Sequence, residues 1–515
     1  MGNKIEEIKR AKDGLDVLGD IYRYAELGFD AIDPDDYERM KWYGLFHRRQ
    51  TPGFFMMRLR IPNGILTSRQ IAALGELANH YGRGQVDITT RQNLQFRWIR
   101  IEDVPAIFRA LDEAAISHLQ TGMDNVRNVT GCPIAGLDPH EVLDASPLAR
   151  AIQEGVQGRK AFSNLPRKFN ISISGCRHDC ALSQTHDIGY TPATAETADG
   201  PRAGFNVRVG GAMGGKSTHL AWDLDVFVTP DEVVGLCAAI LGVFRDEGYR
   251  EDRRRARLKW LVEAWGVERF RSAVEQRLGW PLARAGRDEV IAYGGDHVGV
   301  RPQKQAHLRY IGCLVPVGRI TGHELSEFGR VAEAYGSGEL RLTNDQNILI
   351  VNVREERVSA LLNEPLLGRF TPFPSPSFRR LVSCTGIDFC HFSLIDTKGR
   401  AEELAERLQA MVPAQRPLRM HWSGCPHACG QHHIADIGFQ AARVRVNGEV
   451  VDAADVYLGG RLGNDPRLAT QMLEGVPLTE LPGRLGPLLR KLTENDEQTT
   501  AEPEGEGIVA EGAPV

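Results

Sequence analysis

No stretch of this 515-residue chain approaches the ~20 apolar residues of a membrane span, and its charged start, M-G-N-K-I-E-E-I-K-R, lacks the apolar run of a signal peptide. Both absences point to a soluble, cytoplasmic protein. Nor is there a large excess of charge: a formal net charge of -5 gives no support to nucleic-acid binding as the main role. No G-x-G-x-x-G fingerprint opens a helix after a strand, so any electrons the chemistry needs must come from another protein rather than a bound dinucleotide. Cysteines are few, and nine of them without a regular framework argue for free or metal-bound thiols rather than disulfides. What remains is ordinary globular composition, 42% hydrophobic and 25% charged, on a length that suggests roughly three domains.

Four of the cysteines form two close pairs, Cys384 and Cys390 as C-x5-C, then Cys425 and Cys429 as C-x3-C. Thiolates are soft ligands, and two such pairs can hold a tetrahedral zinc ion or an iron-sulfur cubane. Spacing alone leaves both open, although structural zinc sites more often use C-x2-C or C-x4-C. Gly424 and Gly430 flank the second pair, where backbone must pass close to something bulky.

The chain is internally duplicated. Residues 87–99, D-I-T-T-R-Q-N-L-Q-F-R-W-I, match 341–353, R-L-T-N-D-Q-N-I-L-I-V-N-V, and the alternation in both predicts a half-buried strand carrying T-x-x-Q-N. Phe169 to Tyr190 matches Leu418 to Phe439, which sets Cys176 on Cys425 and Cys180 on Cys429; Asn206 to Gly211 matches Asp455 to Gly460. Each half is thus a small unit followed by a larger one. In the small units an alternating run such as F-F-M-M-R-L-R-I-P, a helical pattern and the T-x-x-Q-N segment suggest a ferredoxin-like split βαβ arrangement. In the first large unit Thr229 and Glu232 have capping-box spacing. The motif G-G-A-M-G-G-K-S, Gly210 to Ser217, satisfies a phosphate-loop expression, but a strand-like sequence follows instead of the required helix, so a glycine loop passing close to a cofactor is the better reading. The first half offers only Cys132 where the second has two cysteines, so Cys132, Cys176 and Cys180 read as small buried thiols, and Cys237 and Cys313 as core. His421, His427, His432 and His433 crowd the second pair and suit hydrogen bonding around the centre. The basic run Arg253 to Lys259 reads as a solvated helical face or a docking surface for an acidic electron carrier. The acidic tail from Glu494 onward is too poor in apolar residues to fold.

The segments S-C-T-G-I-D-F-C-H and M-H-W-S-G-C-P-H-A-C-G-Q-H-H resemble the ligand pairs of the sirohaem nitrite and sulfite reductase family, and K-W-Y-G-L-F-H-R-R and H-V-G-V-R-P-Q-K-Q extend the resemblance from about Arg39 to about Leu485. The resemblance implies an α+β, internally duplicated, pseudo-two-fold fold: an N-terminal helical arm (1–50), ferredoxin-like half-domains (51–115 and 297–365), two larger cofactor-binding units (118–280 and 375–490) and a tail (491–515). The larger units would enclose the cofactor at their interface. It implies a [4Fe-4S] cluster on Cys384, Cys390, Cys425 and Cys429, with Cys429 also bridging to sirohaem and Gln303 and Lys304 contacting sirohaem carboxylates. The anion pocket would be Arg91 in T-T-R-Q-N, Arg127 in G-M-D-N-V-R-N, and Lys168 and Asn170 in L-P-R-K-F-N. The sulfite branch typically carries a second lysine where Asn170 stands, and a singly charged nitrite is adequately served by a neutral amide donor. The expectation is therefore assimilatory reduction of nitrite to ammonia by a monomer supplied by reduced ferredoxin or another small electron carrier. The alternatives are sulfite reduction with the same cofactors, a cobalamin-pathway oxygenase on this fold, and a non-catalytic zinc or iron-sulfur protein, which leaves the cationic residues unexplained.

Overall fold

In the computed structural model, residues 3–494 are described apart from 198–199, 292–295 and 412–415, so most of the acidic tail lies outside the described residues. The two small units form one body with a shared apolar core. The first sheet runs in the order Leu45–His47, Phe55–Arg58, Leu94–Ile99, Gln85–Ile88, and its fifth strand, Arg319–Thr321, comes from the other half. The second sheet reciprocates: Gly299–Pro302, Leu308–Cys313, Ile348–Arg354 and Glu339–Leu342 are completed by Ile65–Thr67 of the first half. Each exchanged strand ends on a threonine that caps the next helix. Thr67 forms a capping box with Gln70 at helix Ser68–Tyr81, and Thr321 forms one with Glu324 at Gly322–Tyr335. The apolar faces of the two helices pack against each other between the sheets, which joins the halves.

The T-x-x-Q-N segments are not strands. Each is a tight turn between two antiparallel strands: the Thr89 N–H donates to the Asn93 carbonyl at 2.9 Å and the Gln92 N–H to the Thr89 carbonyl at 3.0 Å. Apolar alternation runs on both sides of the turn, which hides it from a periodicity reading. Gln92 and Gln346 take φ of +54° and +66°, a left-handed conformation that costs a non-glycine residue and persists where surroundings impose it. Here each glutamine reaches into the opposite half. The Gln92 amide donates to the Leu342 carbonyl at 3.0 Å and accepts from the Gly131 N–H at 3.0 Å. Gln346 donates to the Ile88 carbonyl at 2.8 Å and accepts from the Ser383 N–H at 2.9 Å. The neighbouring asparagines repeat the pattern, Asn93 accepting from the Ile61 N–H and Asn347 from the Val315 N–H.

In the first large unit the strands Val126–Gly131, Phe169–Ile173 and Ile188–Thr197 are parallel, and Gly200–Val209 and Trp222–Val228 continue the sheet antiparallel. The second repeats this with Leu381–Ser383, Met420–Ser423 and Ile437–Val446, then Glu449–Leu458 and Thr470–Pro477. Helices such as Val233–Glu247 and Thr397–Met411 supply apolar faces to the two cores. Thr229 and Glu232 form their capping box just before Val233. Parallel pairing leaves the loops after successive strands at one sheet end, the usual place for ligands in α/β sheets. Cys132, Cys176 and Cys180 occupy those loops in the first unit; Cys384, Cys425 and Cys429 do so in the second. The N-terminal arm fastens the first unit: buried Lys9 donates to Asp124 at 3.1 Å and to the Leu165 carbonyl at 2.9 Å, and Trp42 Nε1 to Ser163 Oγ at 2.9 Å.

Candidate metal centre and anion pocket

Cys384 follows strand Leu381–Ser383 directly, Cys390 lies in the loop beyond, and Cys425 and Cys429 follow Met420–Ser423. Backbone passes very close here: a Cβ on Gly424 would meet Ser393 Oγ at 1.9 Å, and one on Gly430 the Trp422 carbonyl at 2.0 Å. The loops need glycine to pack on the protein itself. The Gly424 N–H donates to Cys384 Sγ at 3.1 Å, a contact that favours a thiolate. Among the described residues, no three sulfurs of this tetrad lie within 4.8 Å of one another, whereas thiolates around one zinc ion at ~2.3 Å stand ~3.8 Å apart. Cys429 is the one member of the four that is exposed.

A cavity of about 140 Å³ opens beside these sulfurs, and its far wall belongs to the first half-domain: Arg48, Arg58, Asp87, Arg91 and Arg97. The centre therefore lies crosswise, between the second large unit and the first half-domain, as well as facing the first large unit. Buried Asp87 organises that wall. Arg97 Nη2 donates to it at 2.8 Å, Thr385 Oγ1 at 3.1 Å, Arg319 Nε lies at 3.1 Å and Lys398 Nζ at 3.6 Å. Burial alone would raise the Asp87 pKa; Lys398, Arg97 and Arg319 instead hold it far below the usual carboxylate range. Arg97 also donates to Thr385 Oγ1 and lies over the Phe389 ring, 4.5 Å from its centroid, so the C-x5-C loop is pinned to the half-domain.

The turn at Thr89–Asn93 brings Arg91 to this cavity, and Thr90 Oγ1 donates to the Cys429 carbonyl at 3.3 Å. Lys168 and Asn170 sit at the start of strand Phe169–Ile173, beside Arg127 on its parallel neighbour, where the register slips between Val126 and Val129. The Arg91 guanidinium and Lys168 ammonium make no hydrogen bond or ion pair among the described residues. Arg127 donates to the Thr121 carbonyl and, at 2.8 Å, to the Met123 carbonyl, leaving its buried Nε unpaired. The Asn170 N–H donates to Asp187 Oδ2 at 2.7 Å while its buried Oδ1 has no partner. Burial pushes the Lys168 ammonium well below its ordinary pKa, and neighbouring Arg257, Arg91 and Arg167 push it further, against the pull of Cys429. Burial likewise lowers Arg91 and Arg127, and each feels like-charged neighbours. Positive charge is thus concentrated under desolvation around this part of the fold.

Gln303 and Lys304 are not brought to this cavity. Gln303 hydrogen-bonds Asn352 at 2.8 Å, and Lys304 pairs with Glu141 at 2.6 Å beside the Leu137 carbonyl, on the side of Cys132. The basic run is divided: Arg254 and Arg255 are exposed, while the others turn inward. Arg253 grips Asp124 through two bonds at 2.7 and 2.8 Å, Arg257 grips buried Asp187 at 2.7 and 3.1 Å, and Lys259 lies over Trp260. Of the histidines, His427 Nδ1 lies 3.3 Å from Cys425 Sγ and His421 Nδ1 lies 3.3 Å from the Gln431 carbonyl; the buried His432 nitrogens meet no partner. The Gly210–Ser217 loop forms a three-residue turn followed by strand Trp222–Val228, and the Gly215 N–H donates to the Pro426 carbonyl between the second cysteine pair. The sequence reading missed Arg48, Arg58, Arg97, Arg167, Arg257 and Lys398. Arg48, Arg58, Arg97 and Arg167 lay within the segments K-W-Y-G-L-F-H-R-R, F-F-M-M-R-L-R-I-P, 87–99 and L-P-R-K-F-N, and Arg257 in the basic run, but nothing in their spacing singled them out; Lys398 had no motif.

Residues 122–282 and 375–492 match the nitrite and sulphite reductase 4Fe-4S domain, and residues 47–114 and 301–367 the nitrite/sulfite reductase ferredoxin-like half domain. The chain is 46% identical to a ferredoxin–nitrite reductase of Synechococcus elongatus over 95% of this chain and 96% of that one, and 44% identical to one from Leptolyngbya laminosa over 95% and 96%. The solved Mycobacterium tuberculosis NirA protein matches with a TM-score of 0.90 at 31% identity, covering 98% of this chain and 95% of that one. With the two cysteine pairs and the duplicated sheets, these likenesses establish that the chain belongs to the nitrite and sulphite reductase family.

Proposed function

We infer that this protein reduces nitrite to ammonia in six one-electron steps, using ferredoxin as donor and a [4Fe-4S] cluster together with sirohaem as resident cofactors. The observation that carries this reading is that the Arg91 guanidinium on the cavity wall and the Lys168 ammonium beyond its lining lie free of protein partners among the described residues and within electrostatic reach of Cys429. Cys384, Cys390, Cys425 and Cys429 would hold the cluster, exposed Cys429 would also meet the sirohaem, and Arg48 and Arg58 on the cavity wall are suited to the macrocycle's carboxylates. When bound, the two groups supply electrons and an open iron position for the substrate.

The chain's own residues do the rest. Arg91 and Lys168 bind the anion by charge, and Arg127, fixed by its two carbonyl contacts, adds a directed donor. Reduction of nitrite to ammonia consumes protons as each N–O bond breaks. Lys168, whose ammonium is made more acidic by burial and by Arg257, is suited to deliver them. Asn170 offers an amide rather than a second ammonium, which matches one negative charge better than two. The ion pair of Asp187 with Arg257 holds the Asn170 backbone in place.

No helix is long and apolar enough to cross a membrane, and we place the protein in the cytoplasm, acting as a monomer. Incubating holoenzyme with nitrite and reduced ferredoxin should give ammonia, with six ferredoxins oxidised per nitrite consumed. Hydroxylamine or nitric oxide as the final product, or no consumption of nitrite, would overturn the reading.

A further inference from the structure

The duplicated fold places a second cysteine site opposite the first. Cys132 follows its strand as Cys384 does: Gly131 and Ser383 each donate their N–H to the glutamine of a T-x-x-Q-N turn, and the cysteine comes next. Cys176 and Cys180 follow strand Phe169–Ile173 as Cys425 and Cys429 follow Met420–Ser423. Six residues after Cys384 stands Cys390; six after Cys132 stands Asp138. Unlike the tetrad, Cys132, Cys176 and Cys180 bring their sulfurs within 4.8 Å of one another. They are 1%, 2% and 8% exposed, in a shell of Ile134, Ala135, Leu137, Tyr310, Leu349 and Val351.

We propose that Cys132, Cys176 and Cys180 hold a single zinc(II) ion, with the neighbouring Asp138 carboxyl, which stands outside the 4.8 Å group of sulfurs, turning in as fourth donor when the ion binds. Sulfurs this close match thiolates ~3.8 Å apart around one ion with bonds of ~2.3 Å, and they are too close for a cubane edge. A backbone turn already aims an N–H group at one sulfur: His178 donates to Cys176 Sγ at 3.3 Å. Such an N–H···S contact stabilises a thiolate. Asp138 is buried, its Oδ1 accepting from the His140 N–H at 2.9 Å, and among the described residues its carboxyl has no cationic partner, a state that a divalent ion would relieve. Buried His297, which is close enough to Cys176 to feel its charge, keeps an unpaired Nε2. Arg341 donates to the Pro133 and Ala135 carbonyls at 3.1 and 2.6 Å and supplies a positive charge beside the site. Three thiolates need a cation of charge two or more to avoid a large residual negative charge in an apolar shell, which favours zinc(II) over copper(I). The ion would clamp the ends of the two strands that carry Arg127 and Asn170, fixing the pocket's geometry without entering the reaction.

Holoenzyme purified from zinc-containing medium should carry one zinc per chain besides its iron. Zinc-edge X-ray absorption should show three sulfurs at about 2.3 Å and one lighter donor. Cys176→Ser should lose the zinc while the iron-sulfur absorbance persists. Asp138→Asn, a gentler change that retains the fold should the serine variant not, should release zinc to a chelator at least ~10-fold more readily. Wild-type protein with less than a tenth of an equivalent of zinc, zinc bound by four sulfurs or by none, or a disulfide within the triad after alkylation under denaturing conditions would each overturn the proposal.

Discussion

At the scale of single residues, charge and its burial decide what the pocket does. Lys168 must be protonated to hold an anion, and its pKa is lowered by burial and by Arg257 and Arg91. Nitrite binding should therefore be strongest at low pH and weaken as pH rises through that lowered pKa, sooner than for an ordinary lysine. The pH profile of KM reads this, and Lys168→Arg, which stays charged, should flatten that limb. Arg91→Ala should cut kcat/KM for nitrite by about 10²–10³-fold, the usual loss for one preorganised donor, with little change in iron content. Asp87 works in the opposite sense. Its depressed folded-state pKa contributes stability that is fully present above the unfolded value near 4 and is lost as pH falls toward the folded one. Asp87→Asn leaves buried Arg97 and Lys398 without their carboxylate and Arg319 with Asp388 alone, and should cost ~3–5 kcal/mol in denaturant unfolding. The cysteine tetrad was legible in the sequence because its spacing is itself coordination chemistry. Asp87, Arg58 and Arg97 were not, because a charged residue in a strand shows its partners only once chains distant in sequence meet.

At the scale of elements, the T-x-x-Q-N turns bind the halves together. Gln346→Ala would strip partners from the buried Ile88 carbonyl and Ser383 N–H, at ~1–3 kcal/mol for each group left unpaired. Ser383 precedes Cys384, so the expected readout is a lowered midpoint of unfolding together with weaker cluster retention. Gln92→Ala should cost similar stability yet leave the cluster bound, since its partners lie beside Cys132 instead. The duplication itself could be read from aligned motifs, and helix starts from capping pairs such as Thr229 with Glu232. The turn could not, since alternation on either side of Thr89–Asn93 reads as one strand, and the left-handed glutamine is imposed by the opposite half. The exchanged strands Ile65–Thr67 and Arg319–Thr321 are three residues each, too short to carry a period.

At the scale of the whole molecule, the exchange of strands makes each half incomplete. Chains ending near residue 290 or starting near 297 should fail to fold alone and should recover cluster binding when produced together; independent folding of either would contradict the shared core. The family and its cofactors were legible from ordered motifs over most of the chain. The crosswise position of the centre, between one half's cysteines and the other's arginines, was not, because it depends on how duplicated units pack. That packing brings Arg91 and Lys168 within electrostatic reach of Cys429, and Asn170 stands two residues after Lys168. The most direct measurement is the ratio of kcat/KM for nitrite over sulfite, with reduced ferredoxin and sirohaem-loaded protein, for the wild type and Asn170→Lys. A wild-type ratio well above one that falls in the variant is the predicted result; a preference for sulfite, or a ratio unmoved by the substitution, would contradict it.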